Sequence, residues 1–190
     1  NHFDSIRQHT GQAELVDLCD TNPVALLQAV QTTGAAGHAS LTALLQKTTA
    51  DCVILTTPSG THPQQAVEVA RAGRHVLSEK PMATKWDEGM AMVRECRDAG
   101  VKLFVVKQNR LNATMQLLKK AIDDKRFGRI HMVTVNVFWT RPQSYYDQPG
   151  RGTRARDGGD VLLTQAIHTL DLLISVAGLP AAVSFRKCVA

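Results

Sequence analysis

The strongest constraint on the fold is a series of short apolar segments that alternate with helical segments. Residues 51–57, 75–80 and 101–106 are the clearest apolar runs, and capped or amphipathic stretches separate them. A strand buried on both faces of a parallel sheet has this pattern, because neither face meets water. Strand–helix repeats at this spacing predict right-handed βαβ units. The predicted fold class is therefore α/β, with a doubly wound parallel sheet.

Other elements are predicted from their boundary residues. Pro23 opens a helix, since proline is tolerated in a first helical turn, and Ser40 caps another. The strand before Pro23 is predicted at residues 14–20, and the helices at residues 23–33, 41–48, 61–72, 86–99 and 112–123.

The pattern changes in the last third of the chain. Residues 129–139 alternate apolar and polar side chains, which predicts a long strand in a second, more open sheet. A loop rich in Pro, Gly and Arg follows at 141–156, then a helix over about 160–177 and a strand over 180–189. We therefore expect the start of a second α/β unit after the parallel sheet.

Composition excludes several classes of function. Aromatic residues make up 5% of the chain, which argues against a surface that stacks nucleic-acid bases. The most apolar segment, 161–183, carries Gln165, His168 and Asp171, which a bilayer-spanning helix would not carry without partners. Because no signal-peptide pattern is seen either, we expect a cytoplasmic protein with no membrane or nucleic-acid partner.

Cysteine spacing and charge give weaker information. The cysteines lie far apart and form no Cys-x-x-Cys pair, so we expect small buried residues in a reducing compartment and no metal site. They are Cys19, Cys52, Cys96 and Cys188.

The net charge of +5 includes basic patches at 119–129 and 151–156. These patches are either solvated faces or an attraction for an anionic ligand.

Lys80 is the best candidate for chemistry. It directly follows a predicted strand, and Pro81 restricts the backbone around it. An ammonium held at a strand end can hydrogen-bond a reacting hydroxyl and stabilise developing alkoxide charge. A surface ion pair between Glu79 and Lys80 is the simpler interpretation.

His168 is the second candidate. Thr164, His168 and Asp171 stand at i, i+4 and i+7 of a predicted helix, so they share one face. Histidine is a natural proton acceptor when a secondary alcohol becomes a ketone, although a satisfied core histidine is the common alternative. Upstream, Gly158 and Gly159 would let a ligand approach the backbone.

Two strand ends could bind a nucleotide. Asp20 ends the strand at 14–20, where an acidic residue of a dinucleotide fold accepts hydrogen bonds from the adenosine ribose and favours NAD over NADP. A helix cap is the alternative interpretation. Residues 56–62 join a strand to a helix. The N-terminus of that helix could bind phosphate oxygens, and a simple capped turn is the alternative interpretation.

Glu79-Lys80-Pro81, the Gly-Gly…His168…Asp171 helix and the order of elements resemble the glucose–fructose oxidoreductase, inositol dehydrogenase and MocA-like family. The resemblance covers nearly the whole chain. It implies a partial NAD-binding Rossmann domain at 1–108 and a partial substrate and oligomerisation domain at 109–190. The first strand and its Gly-x-Gly-x-x-Gly loop would come before Asn1.

Site residues follow from this resemblance. It implies that Lys80 and His168 are catalytic. It implies NAD contacts at Asp20, Thr57, Pro58, Ser59, His62, Glu79, Lys80 and Gln108. It implies substrate contacts at Lys80, Arg110, Asn112, Arg141, Thr164, Gln165 and His168.

Segments 107–112 and 138–147 are similar to those of bacterial UDP-N-acetyl-2-amino-2-deoxyglucuronate dehydrogenases. This likeness implies oxidation of the 3-hydroxyl of a UDP-sugar uronate for surface polysaccharide, by a homotetramer. Thr164 departs from the Asp or Asn of those relatives, and Gly150, Arg154 and Arg156 stand where tryptophans are expected. Another sugar or polyol dehydrogenase, or an inactive fragment that acts as a binding module, are the alternatives.

Overall fold

The computed structural model describes residues 2–159 and 161–184, and it confirms the α/β class. The strands are β1 (Asp17–Cys19), β2 (Ala36–His38), β3 (Cys52–Leu55), β4 (His75–Ser78) and β5 (Leu103–Val105). The helices of the first part are α1 (His2–Gln8), α2 (Pro23–Thr33), α3 (Leu41–Leu45), α4 (His62–Arg71), α5 (Trp86–Asp98) and α6 (Ala113–Asp123). Those that follow are α7 (Gln143–Tyr146), α8 (Arg154–Asp157), α9 (Val161–Thr164) and α10 (Ile167–Ala177).

All strand pairs in the described residues are parallel, as predicted. β1 pairs with β2, and β3, β4 and β5 form a second sheet in that order. One cleft is lined by residues of both β1 and β3, so these two strands face each other across it. In the Rossmann strand order 3-2-1-4-5-6, the first strand lies at this position, between the second and the fourth.

The apolar core lies between the three-stranded sheet and the helices α4 and α5. Val69 of α4, Val76 of β4 and Met92 of α5 are each 0% exposed. Burying a side chain of this size contributes roughly 1.5–3 kcal/mol. This core fixes the carboxyl ends of β3, β4 and β5, from which the candidate site is built.

A polar cluster joins the smaller sheet to the segment after α3. Asp17 of β1 accepts hydrogen bonds from His38 Nε2 at 2.7 Å and from Thr48 Oγ1 at 2.6 Å. The hydroxyl of Thr48 and then His38 hold the pKa of the Asp17 carboxyl below its usual value. The cluster therefore ties β1, β2 and the segment between α3 and β3 together through one carboxylate.

The prediction of a long strand at 129–139 is wrong. Residues 131–140 have no regular secondary structure, and many of their apolar side chains are exposed, such as Met132 and Phe138. Alternation marks residues that can form a strand, but a strand also needs an edge to pair with. Within the described residues, the strands near this segment belong to the parallel sheets, and none pairs with it.

Three smaller predictions also need correction. The helix expected over 160–177 is broken into α9 and α10 by a turn at 165–166. Residues 180–184 form no strand, and 185–189 lie outside the described residues. Cys19 and Cys52 are exposed because they line the cleft between β1 and β3, whereas Cys96 is buried and Cys188 lies outside the described residues. Among the described residues, no helix combines the length and apolarity needed to cross a bilayer.

Candidate active site

Lys80 follows β4 and turns towards α9. Its Nζ donates to the carbonyl oxygen of Thr164 at 3.0 Å, and the side chain is half-buried. Glu79 instead accepts from the Lys80 backbone N–H at 3.2 Å and from His2 Nε2 at 2.9 Å. The Lys80–Pro81 peptide is cis. The surface ion pair between Glu79 and Lys80 is therefore not formed.

The surroundings of Lys80 lower the pKa of its ammonium group. Burial lowers the pKa of Lys80, and the positive charges of Lys107, Arg151 and Arg141 lower it further, against the opposing effect of Glu79. An amine in such a place can share or release its proton more readily than a surface lysine. Cations from the segment after β5 and from the loop at 140–157 therefore act on this residue.

His168 lies on α10, close to the same group. The residue is only 9% exposed. Burial lowers its pKa, and the charges of Lys80 and Lys107 lower it further, while Glu79 and Asp171 act in the opposite direction. A neutral imidazole is the form that can accept a proton. The structure thus brings Lys80 and His168 into electrostatic contact.

Asp171 does not share one helix with Thr164, contrary to the sequence prediction. Thr164 ends α9, whereas Asp171 lies on α10 and accepts from Arg110 Nε and Nη2 at 2.6 Å each. Lys107 Nζ lies 3.8 Å from the same carboxylate. Asp171 therefore fastens α10 to the segment after β5. Arg110, expected at the substrate, is engaged in this ion pair.

The loop between residues 140 and 157 forms a basic, aromatic rim. The Arg141 guanidinium lies 5.4 Å from the centroid of the Tyr145 ring, and that of Arg151 lies 4.8 Å from it. Such cation–π contacts orient guanidinium groups without neutralising them. Gln165 is buried, and its Nε2 lies 3.4 Å from the hydroxyl of Tyr146. Asn112 is exposed at the start of α6 and makes no side-chain capping bond.

Two of the expected NAD contacts line the cleft between β1 and β3. Asp20 follows β1 and Thr57 follows β3. The Asp20 carboxylate accepts from the backbone of Asn22 at 2.8 Å, while the cap of α2 is Asn22 itself. Ligands of open α/β sheets bind beyond the carboxyl ends of strands. Asp20 and Thr57 lie at that edge, whereas the rest of the cleft runs along β1 and β3, at the position of the first strand in the Rossmann order.

The other expected NAD contacts are more dispersed. Pro58 and Gln108 are exposed, and Ser59 begins a 3-10 turn before α4. His62 is only 1% exposed. Its ring nitrogens lie against the carbonyl oxygens of Pro81 and Thr57 rather than facing the cleft.

Gly158 serves packing and backbone geometry. Its φ is +80°, and an added Cβ would lie 2.4 Å from Leu163 and 2.9 Å from Thr84. The space beside this backbone is therefore filled by protein side chains, not left open for a ligand as the sequence suggested. The glycine allows the chain to turn from α8 towards α9.

Sequence reasoning missed three residues of the site: His2, Lys107 and Arg151. Lys107 follows β5, and this position alone could have marked it as a strand-end residue. Arg151 lies in a basic patch for which attraction of an anionic ligand was one of two interpretations, but the residue itself was not singled out. His2 comes from α1, and no local pattern connects it with Glu79. Among residues 2–159 and 161–184, no cluster of His, Cys, Asp or Glu is suited to hold a metal ion.

Comparison with known proteins shows the family of this chain. Residues 1–107 match the model of the GFO/IDH/MocA oxidoreductase family, described as an NAD-binding Rossmann fold. The chain belongs to this family. Residues 115–187 match the family's C-terminal domain. A curated relative, 1-carboxy-3-chloro-3,4-dihydroxycyclohexa-1,5-diene dehydrogenase of Comamonas testosteroni, is 30% identical over 85% of this chain and 41% of its own length.

Two solved structures are much more similar. The WlbA dehydrogenase of Chromobacterium violaceum, in complex with NADH and UDP-GlcNAcA, is 58% identical with a TM-score of 0.91. That of Bordetella pertussis, with the same two ligands, is 59% identical with a TM-score of 0.90. Each comparison covers 94% of this chain, and 52% and 54% of the respective dehydrogenase. The chain therefore spans about half the length of these two proteins.

Proposed function

We propose that this protein uses NAD to oxidise the 3-hydroxyl of a UDP-N-acetylaminosugar uronate. The observation that carries the proposal is the electrostatic interaction of Lys80 with His168 among the cations Lys107, Arg141 and Arg151, in a chain 58% identical to a dehydrogenase solved with NADH and UDP-GlcNAcA. We further propose that the reaction serves surface-polysaccharide (O-antigen) synthesis in the cytoplasm.

The proposed reaction divides between two side chains. Bound NAD would supply the hydride acceptor. His168, kept neutral by burial and by neighbouring cations, accepts the hydroxyl proton on a ring nitrogen. Lys80 Nζ donates a hydrogen bond to the same oxygen and stabilises the alkoxide as the carbonyl forms. The alcohol thus loses one hydride and one proton and becomes a ketone.

We propose that the NAD contacts lie along the strand ends. Asp20 would accept hydrogen bonds from the adenosine ribose. The loop with Thr57, Pro58 and Ser59 precedes α4, whose N-terminus favours phosphate oxygens. Glu79 and Gln108 follow β4 and β5 on the same side of the sheet.

The basic rim suits an acidic sugar and its diphosphate. Arginine forks fit carboxylate and phosphate oxygens, which favours Arg141 as a substrate contact. Arg151 joins it here, since its Nε is buried without a hydrogen-bond partner among the described residues. Asn112, Gln165 and Arg110 are proposed to assist, with Arg110 shared with Asp171.

We also propose a domain boundary near residue 108, where β5 has ended and a 3-10 helix begins. The residues before it would form the NAD-binding domain, and those after it the beginning of the substrate and oligomerisation domain. In the whole protein we expect a homo-oligomer, a tetramer as the family likeness implies. Sedimentation of the full protein would test the tetramer.

A titration followed by a turnover assay tests the function. NADH is titrated calorimetrically into the purified protein, and NAD reduction is then followed with UDP-GlcNAcA, with UDP-GlcNAc and with inositol. We expect NADH to bind, and we expect NAD to be reduced preferentially with the uronate. Lys80→Met should lose this turnover. Lys85→Met should keep it, because Lys85 is an exposed lysine paired with Glu88. Absence of NADH binding up to millimolar concentration would reject the enzyme and favour a binding module. Equal turnover of inositol would reject the substrate.

A further inference from the structure

The turn that carries Lys80 is held from both sides by histidines. We call Glu79–Pro81 the lysine turn. On one side, His2 of α1 donates from Nε2 to Glu79 Oε1 at 2.9 Å. On the other, His62 of α4 places Nδ1 3.0 Å from the carbonyl oxygen of Pro81. The two histidines are 60 residues apart in sequence and act on the residues directly before and after Lys80.

The contact of His2 reaches the Lys80 backbone through one carboxylate. Glu79 Oε1 accepts from His2, and Glu79 Oε2 accepts from the backbone N–H of Lys80 at 3.2 Å. His2 and Glu79 are both partly buried, with side chains 29% and 31% exposed. Partial burial strengthens such a charge-assisted bond compared with one on the surface. The carboxylate is thereby fixed between α1 and the turn.

The contact of His62 joins two strand ends. Its Nε2 lies 2.8 Å from the carbonyl oxygen of Thr57, beyond β3, while Nδ1 faces Pro81, beyond β4. Carbonyl oxygens only accept, so a neutral ring donates to one of them at a time and a protonated ring to both. In either form the buried ring keeps the two loops at a fixed separation.

Lys80 needs such support, because its surroundings destabilise a charged amine inside the site. Its amine is half-buried and lies near three cations, Lys107, Arg141 and Arg151. A lysine has a flexible four-carbon chain, and a charged amine gains free energy by moving into water. Its contact with the Thr164 carbonyl is a single hydrogen bond of 3.0 Å.

We propose that His2 and His62 are positioning residues, which clamp the lysine turn from both sides and keep the Lys80 amine inside the site. The inference rests on the proposed role of Lys80. It adds that the α1 and α4 helices, which carry no proposed catalytic group, determine where that amine stands.

The reactivity of the Lys80 amine measures the effect of the clamp in the absence of cofactor and substrate. Lys80 acylation by acetic anhydride is measured by mass spectrometry as a function of pH, relative to exposed Lys85 in the same sample. We expect the midpoint of the Lys80 profile to move to higher pH in His2→Leu and in His62→Gln, since a released amine regains water. His2→Gln retains a donor and should restore most of the wild-type midpoint.

Matched substitutions control for general effects of losing a histidine. His9→Gln alters an exposed ring bonded to Ser5 just after α1, and His75→Gln alters a ring of β4 bonded to the Lys102 backbone. Neither should move the Lys80 midpoint. An unchanged midpoint in folded His2→Leu, judged by circular dichroism, would overturn the proposal even if His62→Gln failed to fold. A moved midpoint in a protein that turns over no sugar would support the clamp and reject only the enzymatic function.

Discussion

The two parts of the molecule bury different kinds of side chain. In the parallel-sheet part, residues 2–107, the core is apolar and centred on Val69, Val76 and Met92. In the described residues 128–159 and 161–184, the buried polar side chains are Asp157, Gln165 and His168, and Ala166 is a buried apolar one. Apolar burial is the main stabilising contribution to a fold, whereas buried polar groups cost free energy unless they are partnered.

The first part contributes most of the apolar burial that stabilises the fold, whereas the second part contributes polar side chains to the candidate site. The first part holds the ends of three strands rigidly, and the second part brings His168 and a basic rim to them. Lys80 belongs to the first part but donates to Thr164 of the second, so the site exists only where the two meet. Substitutions in each part should therefore have different effects, which the following experiments measure.

The largest effect is expected at His168. His168→Asn should lower kcat by ~10²–10⁴-fold, the usual contribution of a general base, because the proposed mechanism assigns the hydroxyl proton to His168 alone. The midpoint of thermal unfolding should change little, since the second part contributes little apolar burial. A large loss of stability with retained turnover would show that His168 is a core residue, and it would contradict the proposed difference between the two parts of the molecule.

A core substitution should show the reverse. Met92→Ala removes a side chain that is 0% exposed and should cost about 2–5 kcal/mol in urea unfolding. Met132→Ala, at a side chain 82% exposed in the second part, should stay within ~0.5 kcal/mol. Equal costs at the two methionines would mean that residues 131–140 are packed in solution.

Acid should weaken the first part through Asp17. The folded pKa of Asp17 is lowered by Thr48 and His38, so its stabilisation is present above the unfolded pKa of ~3.9 and is lost as pH falls through the folded value. Asp17→Asn should cost about 1–3 kcal/mol near pH 7, and this difference should shrink in acid. Asp51→Asn, at an exposed residue just before β3, is the control. A constant difference at all pH values would contradict the assignment.

The smallest effect is a shift in a pH profile. Lys107 lowers the pKa of His168, so Lys107→Gln should raise it and move the acid limb of kcat to higher pH. Lys119→Gln removes a lysine paired with Asp123 on the surface of α6 and should leave the profile in place. If the limb moved to lower pH instead, the charge of Lys107 would not be acting on His168.

The sequence predicted the first part well because its signals are local. The runs at β3, β4 and β5 and the Pro23 helix start were each recognised from neighbouring residues. β2 was missed, since Ala36-Gly37-His38 has a low propensity for strands. The strand at 129–139 was predicted wrongly, because alternation carries no information about a pairing partner.

The site was predicted in part for the same reason. Lys80 precedes a proline at a predicted strand end, and His168 follows a glycine pair, so both could be recognised from nearby residues. Lys107, Arg151 and His2 reach the site only through tertiary structure. The break between α9 and α10 follows Thr164, whose carbonyl accepts from Lys80, and helical periodicity does not record such a long-range contact.

The most direct test of the account is an NMR pH titration of His168 in the wild-type protein and in Lys80→Met. The account predicts that His168 titrates below the ordinary histidine value of ~6.5, and that its pKa rises when the Lys80 charge is removed. His75, on β4, serves as the internal reference. An unchanged His168 titration in Lys80→Met would show that the two side chains do not share a site, and would contradict the proposed acid–base pair.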